Sequence, residues 1–496
     1  MTSKLAWRTS LAGTSLCPFL CLICRWPSPR CNALLDDSLP QPRALIPRCF
    51  CSGCVFRNSN APPCQQHSDP SSLFSIDHTA PSLIMTQQLE AKALVVDKPQ
   101  GPFHLVDIEL DLSKLGSDEV IVRYHHTGVC HTDVNSRNLA TPELLPAIYG
   151  HEGAGVVEHL SSSYEGPLRV GDSVLASFCS CGGCNNCHSS RPAYCDIFVP
   201  MNLASLSKNM QHVKVSYSAQ DGSKGEALIK YFGQSSFSSR MAVTDRSLTK
   251  VSSNVPTKLV CALACGFQTG FATVFEKAPS DQARSFELFE SAGIHVPDSA
   301  RSSGRHERSK QTLLVTGLGG VGLGAIYGGK TLGFGSIIAC DLNDSRLELA
   351  KEIGATHTIN AKGLDATAFA AKVKEYSADA RGASLAIEAS GSPVAMGNAI
   401  RALAVGGRSV VVGAPPPEAL LPVPHAEILA QANSVEGLLM GNSVPQITFP
   451  YLVSKLEAGE LGFLEKMIAV YKPADMNKAV EDQESGKVIK PVIEWI

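Results

Sequence analysis

Nowhere in the 496 residues is there an unbroken run of about eighteen apolar side chains, so no stretch stands out as a helix able to span a bilayer. An excess of one charge is also missing. Against 43 Lys and Arg stand 46 Asp and Glu, a formal net charge of -3, and no long block of like charge occurs. This excludes the electrostatic footprint through which nucleic acid or an anionic membrane surface is recognised, so neither is expected as a partner. What is present, 44% hydrophobic and 18% charged residues, is the composition of an ordinary globular protein, in a chain long enough for two domains with their own cores.

Sustained periodicity is absent before Met85, and acidic residues are absent before Asp36. Residues 1–84 are rich in Ser, Pro, Arg and Cys, with Lys4 and Arg8 ahead of the apolar run from Leu16 to Cys24. They read equally as a mitochondrial or secretory address and as upstream sequence foreign to the natural protein. A start at Met85 makes the expected location cytoplasmic, and a real transit segment makes it mitochondrial. Eight of the 17 cysteines lie in this leader, where Cys49, Cys51 and Cys54 lack the partner pair that a metal clip needs. Five more fall between Cys179 and Cys195 with metal spacing, which points to a reducing compartment and not to a disulfide framework.

Strand-like runs from Lys92 to Val96 and from Glu119 to Tyr124, punctuated at Pro99-Gln100-Gly101 and Gly116-Ser117-Asp118, predict a β-rich, barrel-like domain over 85–265. From about Cys265 helices alternate with short buried strands at Leu313 to Thr316, Ser336 to Ala339, Leu385 to Glu388 and Ser409 to Val412. That pattern predicts a parallel α/β sheet over 266–440. A helix from Val444 to Gly459 and a closing Val-Ile strand return 441–496 to the first domain. The polar stretch 281–309 sits where compact α/β units use about six residues, and is read as a disordered insertion, a candidate for unspliced sequence.

Three motifs carry chemistry. Cys181-x2-Cys184-x2-Cys187-x7-Cys195 places four thiolates so that one loop can wrap a tetrahedral zinc, with Gly182, Gly183, Asn185 and Asn186 supplying the turns. Such a closed site stabilises a loop and performs no chemistry, and Cys179 beside it is a bystander. Cys130, His151 and Cys265 form a second candidate set, two thiolates and an imidazole, that leaves zinc a fourth position. Finally, a strand ending at Thr316 runs into Gly317-x-Gly319-Gly320-Val321-Gly322, whose backbone can approach a pyrophosphate at a helix N-terminus. Nineteen residues after Gly322 the next strand reaches Asp341, a carboxylate suited to ribose hydroxyls and repelled by a 2′-phosphate, which favours NAD over NADP.

On these motifs the span from Met85 to Ile496, the insertion apart, resembles the zinc-containing medium-chain dehydrogenases. Within them, Tyr231-Phe-Gly-Gln-Ser-Ser-Phe237, Gly441-Asn-Ser-Val-Pro-Gln446 and Gly486-Lys-Val-Ile-Lys-Pro-Val492 are similar to the aryl-alcohol (benzyl-alcohol) dehydrogenase branch. The resemblance implies an α/β chain with a β-rich GroES-like catalytic domain and a doubly wound Rossmann domain. It implies reversible oxidation of a primary, aryl or benzylic, alcohol to its aldehyde with hydride transfer to NAD. One catalytic and one structural zinc per chain, and a homodimer or homotetramer, come with it. Cys130, His151 and Cys265 would be the catalytic ligands, the two-cysteine, one-histidine set associated with alcohol dehydrogenase as a class. Cys181, Cys184, Cys187 and Cys195 would be the structural ones. Asp133 and Glu152 would be carboxylates behind the metal, Asp133 orienting the His151 ring. His131 and Lys490 match positions near the cofactor pyrophosphate, and Arg346 one beside the adenosine ribose whose hydroxyls Asp341 accepts. The Thr132 hydroxyl would take the alcohol proton. Several members carry a histidine a few residues further on; this chain has Asn135, which does not titrate, leaving water or the ribose to end the relay. A non-catalytic relative and a zinc-free, quinone-reductase-like one are the alternatives, and the full ligand set argues against both. Glutathione-adduct and polyol branches stay open within the zinc group.

Overall fold

The computed structural model describes residues 88–203, 213–218, 222–278, 308–416, 418–421 and 425–496. The leader 1–84, and the insertion as far as residue 307, lie outside them. Arg308 and Ser309, the last two residues of the expected insertion, are packed into the fold. Arg308 is buried, its carbonyl accepts the N–H of Gln311 and of Gly335, and the close approach of Ser309 to Gly335 requires a residue without a Cβ there.

The N-terminal half is built from antiparallel strands whose alternation follows the pleat. In His104–Asp111, Val106, Ile108 and Leu110 face the core while His104, Asp107 and Glu109 are exposed. Among the described residues this half holds a five-stranded and a seven-stranded sheet. Glu119–Gly128 is central to the larger one, buried along most of its length and pairing with Gly153–Leu160 and Arg240–Thr244. The chain's final strand, Lys490–Glu494, pairs antiparallel with its end at His126 to Gly128, so the C-terminus does return to the first sheet system.

The C-terminal half is a six-stranded parallel sheet. In spatial order its strands are His357–Asn360, Ser336–Asp341, Thr312–Thr316, Ala383–Glu388, Leu403–Val411 and Ser434–Gly437. Taken in chain order this is the 3-2-1-4-5-6 arrangement of a doubly wound dinucleotide fold. Both faces are covered, so the strands read as continuous apolar runs. Leu313, Val315, Ile337 and Ile387 point into one hydrophobic cluster, and Leu314, Ile338 and Ala386 into another.

Two helices join the halves. Gly266–Lys277 lies against Gly320–Leu332 along a seam of small residues, where a Cβ at Gly270 would collide with the Val321 carbonyl and one at Gly324 with the Phe267 carbonyl. Backbone-to-backbone contact thus ties the start of one helix to the glycine turn that opens the other. The helix expected from Val444 to Gly459 spans Pro445–Glu457 and buries Phe449, Tyr451 and Leu452 in the same core.

Candidate metal centres and nucleotide loop

The four-cysteine loop closes on itself. The sulfurs of Cys181, Cys184, Cys187 and Cys195 lie within 4.8 Å of one another. Cys181 Sγ is 3.9 Å and Cys184 Sγ 3.5 Å from Cys187 Sγ, too long for a disulfide. Four sulfurs about 2.3 Å from a shared tetrahedral centre stand roughly 3.8 Å apart, so the spacing is that of a zinc cage. Gly182 turns the chain with φ +69°, the short helix Asn185–His188 presents Cys187, and Pro192–Tyr194 brings Cys195 back. Backbone N–H groups of Asp196 and Cys187 hold the Cys184 thiol down to about 6, and Arg246 clamps the loop through the Cys181 carbonyl at 2.6 Å. Cys179 stays out of the cage; burial pushes its thiol up to about 11.

The second centre draws on three distant segments. Cys130 precedes the helix His131–Leu139, His151 lies between short strand Ala147–Ile148 and Gly153–Leu160, and Cys265 precedes Gly266–Lys277. Their ligand atoms, with a carboxylate oxygen of Glu152, lie within 4.8 Å of one another. Asp133 gathers the site. One of its oxygens accepts the Cys130 N–H at 2.9 Å, and the other accepts from Gly150 N at 3.2 Å and pairs with His151 Nδ1 at 2.7 Å. This bond places a ring proton on Nδ1, so that the neutral imidazole would offer its lone pair on Nε2, which is buried and has no partner. An unpartnered imidazole nitrogen facing two thiols is a donor set that fits a zinc ion. Burial opposes charging His151, yet Asp133 and Cys130 outweigh it and hold the ring well above its ordinary range. Cys130, hydrogen-bonded by the Cys265 thiol, falls well below its own.

Lys490, expected beside the cofactor phosphates, is 5% exposed and directs its ammonium to Glu152 at 2.7 and 2.8 Å and to the Val129 carbonyl at 3.2 Å. Its three protons are all engaged within the metal pocket. The 338 residues separating it from Glu152 put this pair beyond any local sequence signal. Burial pushes Glu152 up to about 7 against the pull of Lys490.

An aromatic shell surrounds His151. The Phe232 ring stacks on it at 4.6 Å, Tyr231 meets it edge-on at 5.8 Å, and Tyr149 and Phe198 pack outside these two. Phe232 adopts φ +53°, a left-handed backbone that a bulky residue takes only when its surroundings enforce it. The Thr132 hydroxyl is half-buried, 3.6 Å from Cys130 Sγ, while His131 and Asn135 are exposed.

In the nucleotide loop Gly317 has φ +85°, and a Cβ there would meet Ser390 N at 2.6 Å; Gly319 faces open space, and a Cβ on Gly322 would collide with the Gly317 carbonyl. Gly320 and Val321 lie against Gly266, immediately after Cys265, so the glycine turn and the open metal centre adjoin. Asp341 accepts the N–H of Leu318 at 2.7 Å, Leu342 at 2.8 Å and Asn343 at 3.0 Å. Arg346 Nη1 is 3.9 Å from Asp341, and its Nε is buried without a partner.

Residues 116–252 match the family model for the alcohol dehydrogenase GroES-like domain, and residues 320–458 that for the zinc-binding dehydrogenase. Geraniol dehydrogenase of Castellaniella defragrans is 30% identical over 405 residues, 82% of this chain and 98% of that protein. S-(hydroxymethyl)glutathione dehydrogenase of Haemophilus influenzae is 29% identical over 416 residues, again 82% of this chain and 98% of its own. The crystal structure of benzyl alcohol dehydrogenase from Acinetobacter calcoaceticus superposes with a TM-score of 0.67 at 29% identity, covering 82% of this chain and 100% of that one. Non-catalytic and zinc-free readings fall away, because similarity of this extent accompanies two intact cysteine centres. The chain therefore belongs to the zinc-containing alcohol dehydrogenases of the medium-chain dehydrogenase superfamily and is an oxidoreductase that acts on small-molecule alcohols.

Proposed function

We propose that the enzyme oxidises primary aryl alcohols of the benzylic type to aldehydes, reversibly, with NAD as hydride acceptor. The observation that carries the substrate class is the likeness to the benzyl alcohol dehydrogenase of Acinetobacter calcoaceticus over that protein's whole length, together with the Tyr231 to Phe237 and Gly441 to Gln446 segments; Tyr231 and Phe232, buried against His151, make that side of the centre apolar. Asp341 supports NAD, since its carboxylate accepts ribose hydroxyls and repels a 2′-phosphate.

Cys130, His151 and Cys265 would hold the catalytic zinc, and Cys181, Cys184, Cys187 and Cys195 the structural one. Bound there, zinc supplies Lewis acidity that lowers the pKa of an alcohol oxygen, and NAD supplies the hydride acceptor. Asp133 keeps His151 in the tautomer that offers Nε2. Thr132, beside Cys130 and half-exposed, takes the alcohol proton on its hydroxyl and releases its own toward solvent, because Asn135 has no titrating group. Phe232 and Tyr231 exclude water from the ring side of the centre. The test is NAD-dependent turnover of benzyl alcohol against ethanol by zinc-replete protein, with NADP and a chelator as controls. Higher kcat/KM for benzyl alcohol, abolished by chelation, supports the proposal; preference for ethanol sinks the substrate class, and preference for NADP sinks the role of Asp341.

A further inference from the structure

Two buried glutamines outside the ligand set connect the segments that present it. Gln234, in the Tyr231 to Phe237 turn, donates from Nε2 to the carbonyls of His151 at 2.9 Å and Ser177 at 2.8 Å, while its Oε1 accepts the Gly153 N–H at 3.2 Å. Gln268, in the first turn of Gly266–Lys277, donates to Ser177 Oγ at 2.7 Å and to the Ala264 carbonyl at 2.5 Å. Ser443 Oγ donates to Gln268 Oε1 at 3.1 Å, and Ser177 Oγ donates to the Ala264 carbonyl at 2.9 Å. Both glutamines and Ser177 are essentially inaccessible to solvent. One unbroken chain of hydrogen bonds thus runs from the backbone on either side of Glu152, through Ser177, to the carbonyl that precedes Cys265.

Both protons of each amide are used, and each amide oxygen has a donor, so the direction each amide faces is fixed. Reversal would set the Gln234 oxygen against two carbonyls, and the Gln268 oxygen against the Ala264 carbonyl. The closed four-cysteine centre takes its ligands from one loop and needs no such brace. The open centre assembles from segments 130, 151 and 265, whose separation must hold to about 0.2 Å for metal bonding.

We propose that Gln234 and Gln268 are positioning residues for the open metal centre, fixing the backbones of His151 and Cys265 relative to one another. This rests on the reading of Cys130, His151 and Cys265 as zinc ligands. Methionine is close to glutamine in volume but offers no amide, so Gln234→Met and Gln268→Met leave buried carbonyls without donors while filling the same space.

The test follows metal release from the purified two-metal enzyme into a zinc-reporting dye, the open-centre phase being assigned by its absence in Cys130→Ser. Each methionine variant is expected to release metal from the open centre about tenfold faster or more, with the four-cysteine phase unchanged, and to shift the visible absorption of cobalt placed in the open centre. A lowered unfolding midpoint with both release rates and the cobalt spectrum as in the parent would mean a merely structural role and overturn the inference. Gln234→Asn, with a shortened amide, and Ser443→Ala, which only frees a lone pair of Gln268, are milder variants expected to act in the same direction. Should the methionine variants not fold, unchanged release in both milder ones overturns it equally. A parent that binds one metal, with no loss in Cys130→Ser, defeats the zinc reading itself and is distinguishable from either result.

Discussion

Thr132 and Asp341 are the residues to which the proposed function assigns the proton path and the cofactor choice, and each permits a test that spares the fold. The Thr132 side chain needs only its hydroxyl for the proposed role, so Thr132→Ser is expected to stay within a few-fold of the parent. Thr132→Val, which keeps the shape, should lose about a hundredfold in kcat with zinc content unchanged, the usual size of a lost general acid–base path. Steady-state kinetics beside metal analysis decides this, and an active valine variant would move the proton path elsewhere. Asp341 braces the glycine turn through Leu318 N, and in the proposed function its carboxylate also repels a 2′-phosphate. Asp341→Ser is expected to weaken both cofactors, because the brace shortens, but to cut the kcat/KM ratio of NAD to NADP by about tenfold or more. A ratio that does not move would assign cofactor choice to another residue, Arg346 with its unpartnered Nε being next in line.

At the scale of elements, the seam between Gly266–Lys277 and Gly320–Leu332 decides how the halves share one core. Alanine normally favours a helix over glycine by about 1 kcal/mol. Here a methyl at Gly270 or Gly324 strikes a backbone carbonyl of the facing helix, which no rotamer change can relieve. Overpacking costs about 1–3 kcal/mol, so Gly270→Ala and Gly324→Ala should destabilise by about 2 kcal/mol despite the helix preference. Gly328, where the nearest atom to a Cβ is 3.1 Å away, should tolerate alanine better. Chemical denaturation of the three variants checks the ranking, and equal midpoints would show that the helices separate without cost. Because Gly266 also abuts Val321, the first two variants should weaken NAD binding beyond their effect on stability.

For the whole molecule, what the sequence revealed was what is local. The four-cysteine loop and the glycine turn are each confined to one short segment, so spacing alone exposes them. The parallel strands were found by their apolar cores, but Leu403–Val411 begins six residues before the expected Ser409. Its first part carries Gly406 at φ +74° and pairs across a register shift between Ala383 and Leu385, which breaks the pattern that marks a strand. Lys490 with Glu152, and the glutamines bracing His151 and Cys265, depend on segments that only the tertiary fold brings together. The same division predicts how the metals leave. A chelator needs a vacant coordination position, which the open centre has and the closed cage lacks, although the cage lies nearer the surface. Limited chelation should therefore remove one zinc per chain and all activity, with the unfolding midpoint little changed and activity restored by added zinc. Removal of the second should lower the midpoint and expose the Cys181 to Cys195 loop to protease, because the four sulfurs are then no longer joined and its turns rest on polar contacts such as Arg246 to the Cys181 carbonyl and Asn186 to Asp196. Loss of both metals in a single phase together with unfolding would mean that the two centres are not independent, and the assignment of one to chemistry and one to stability would fail.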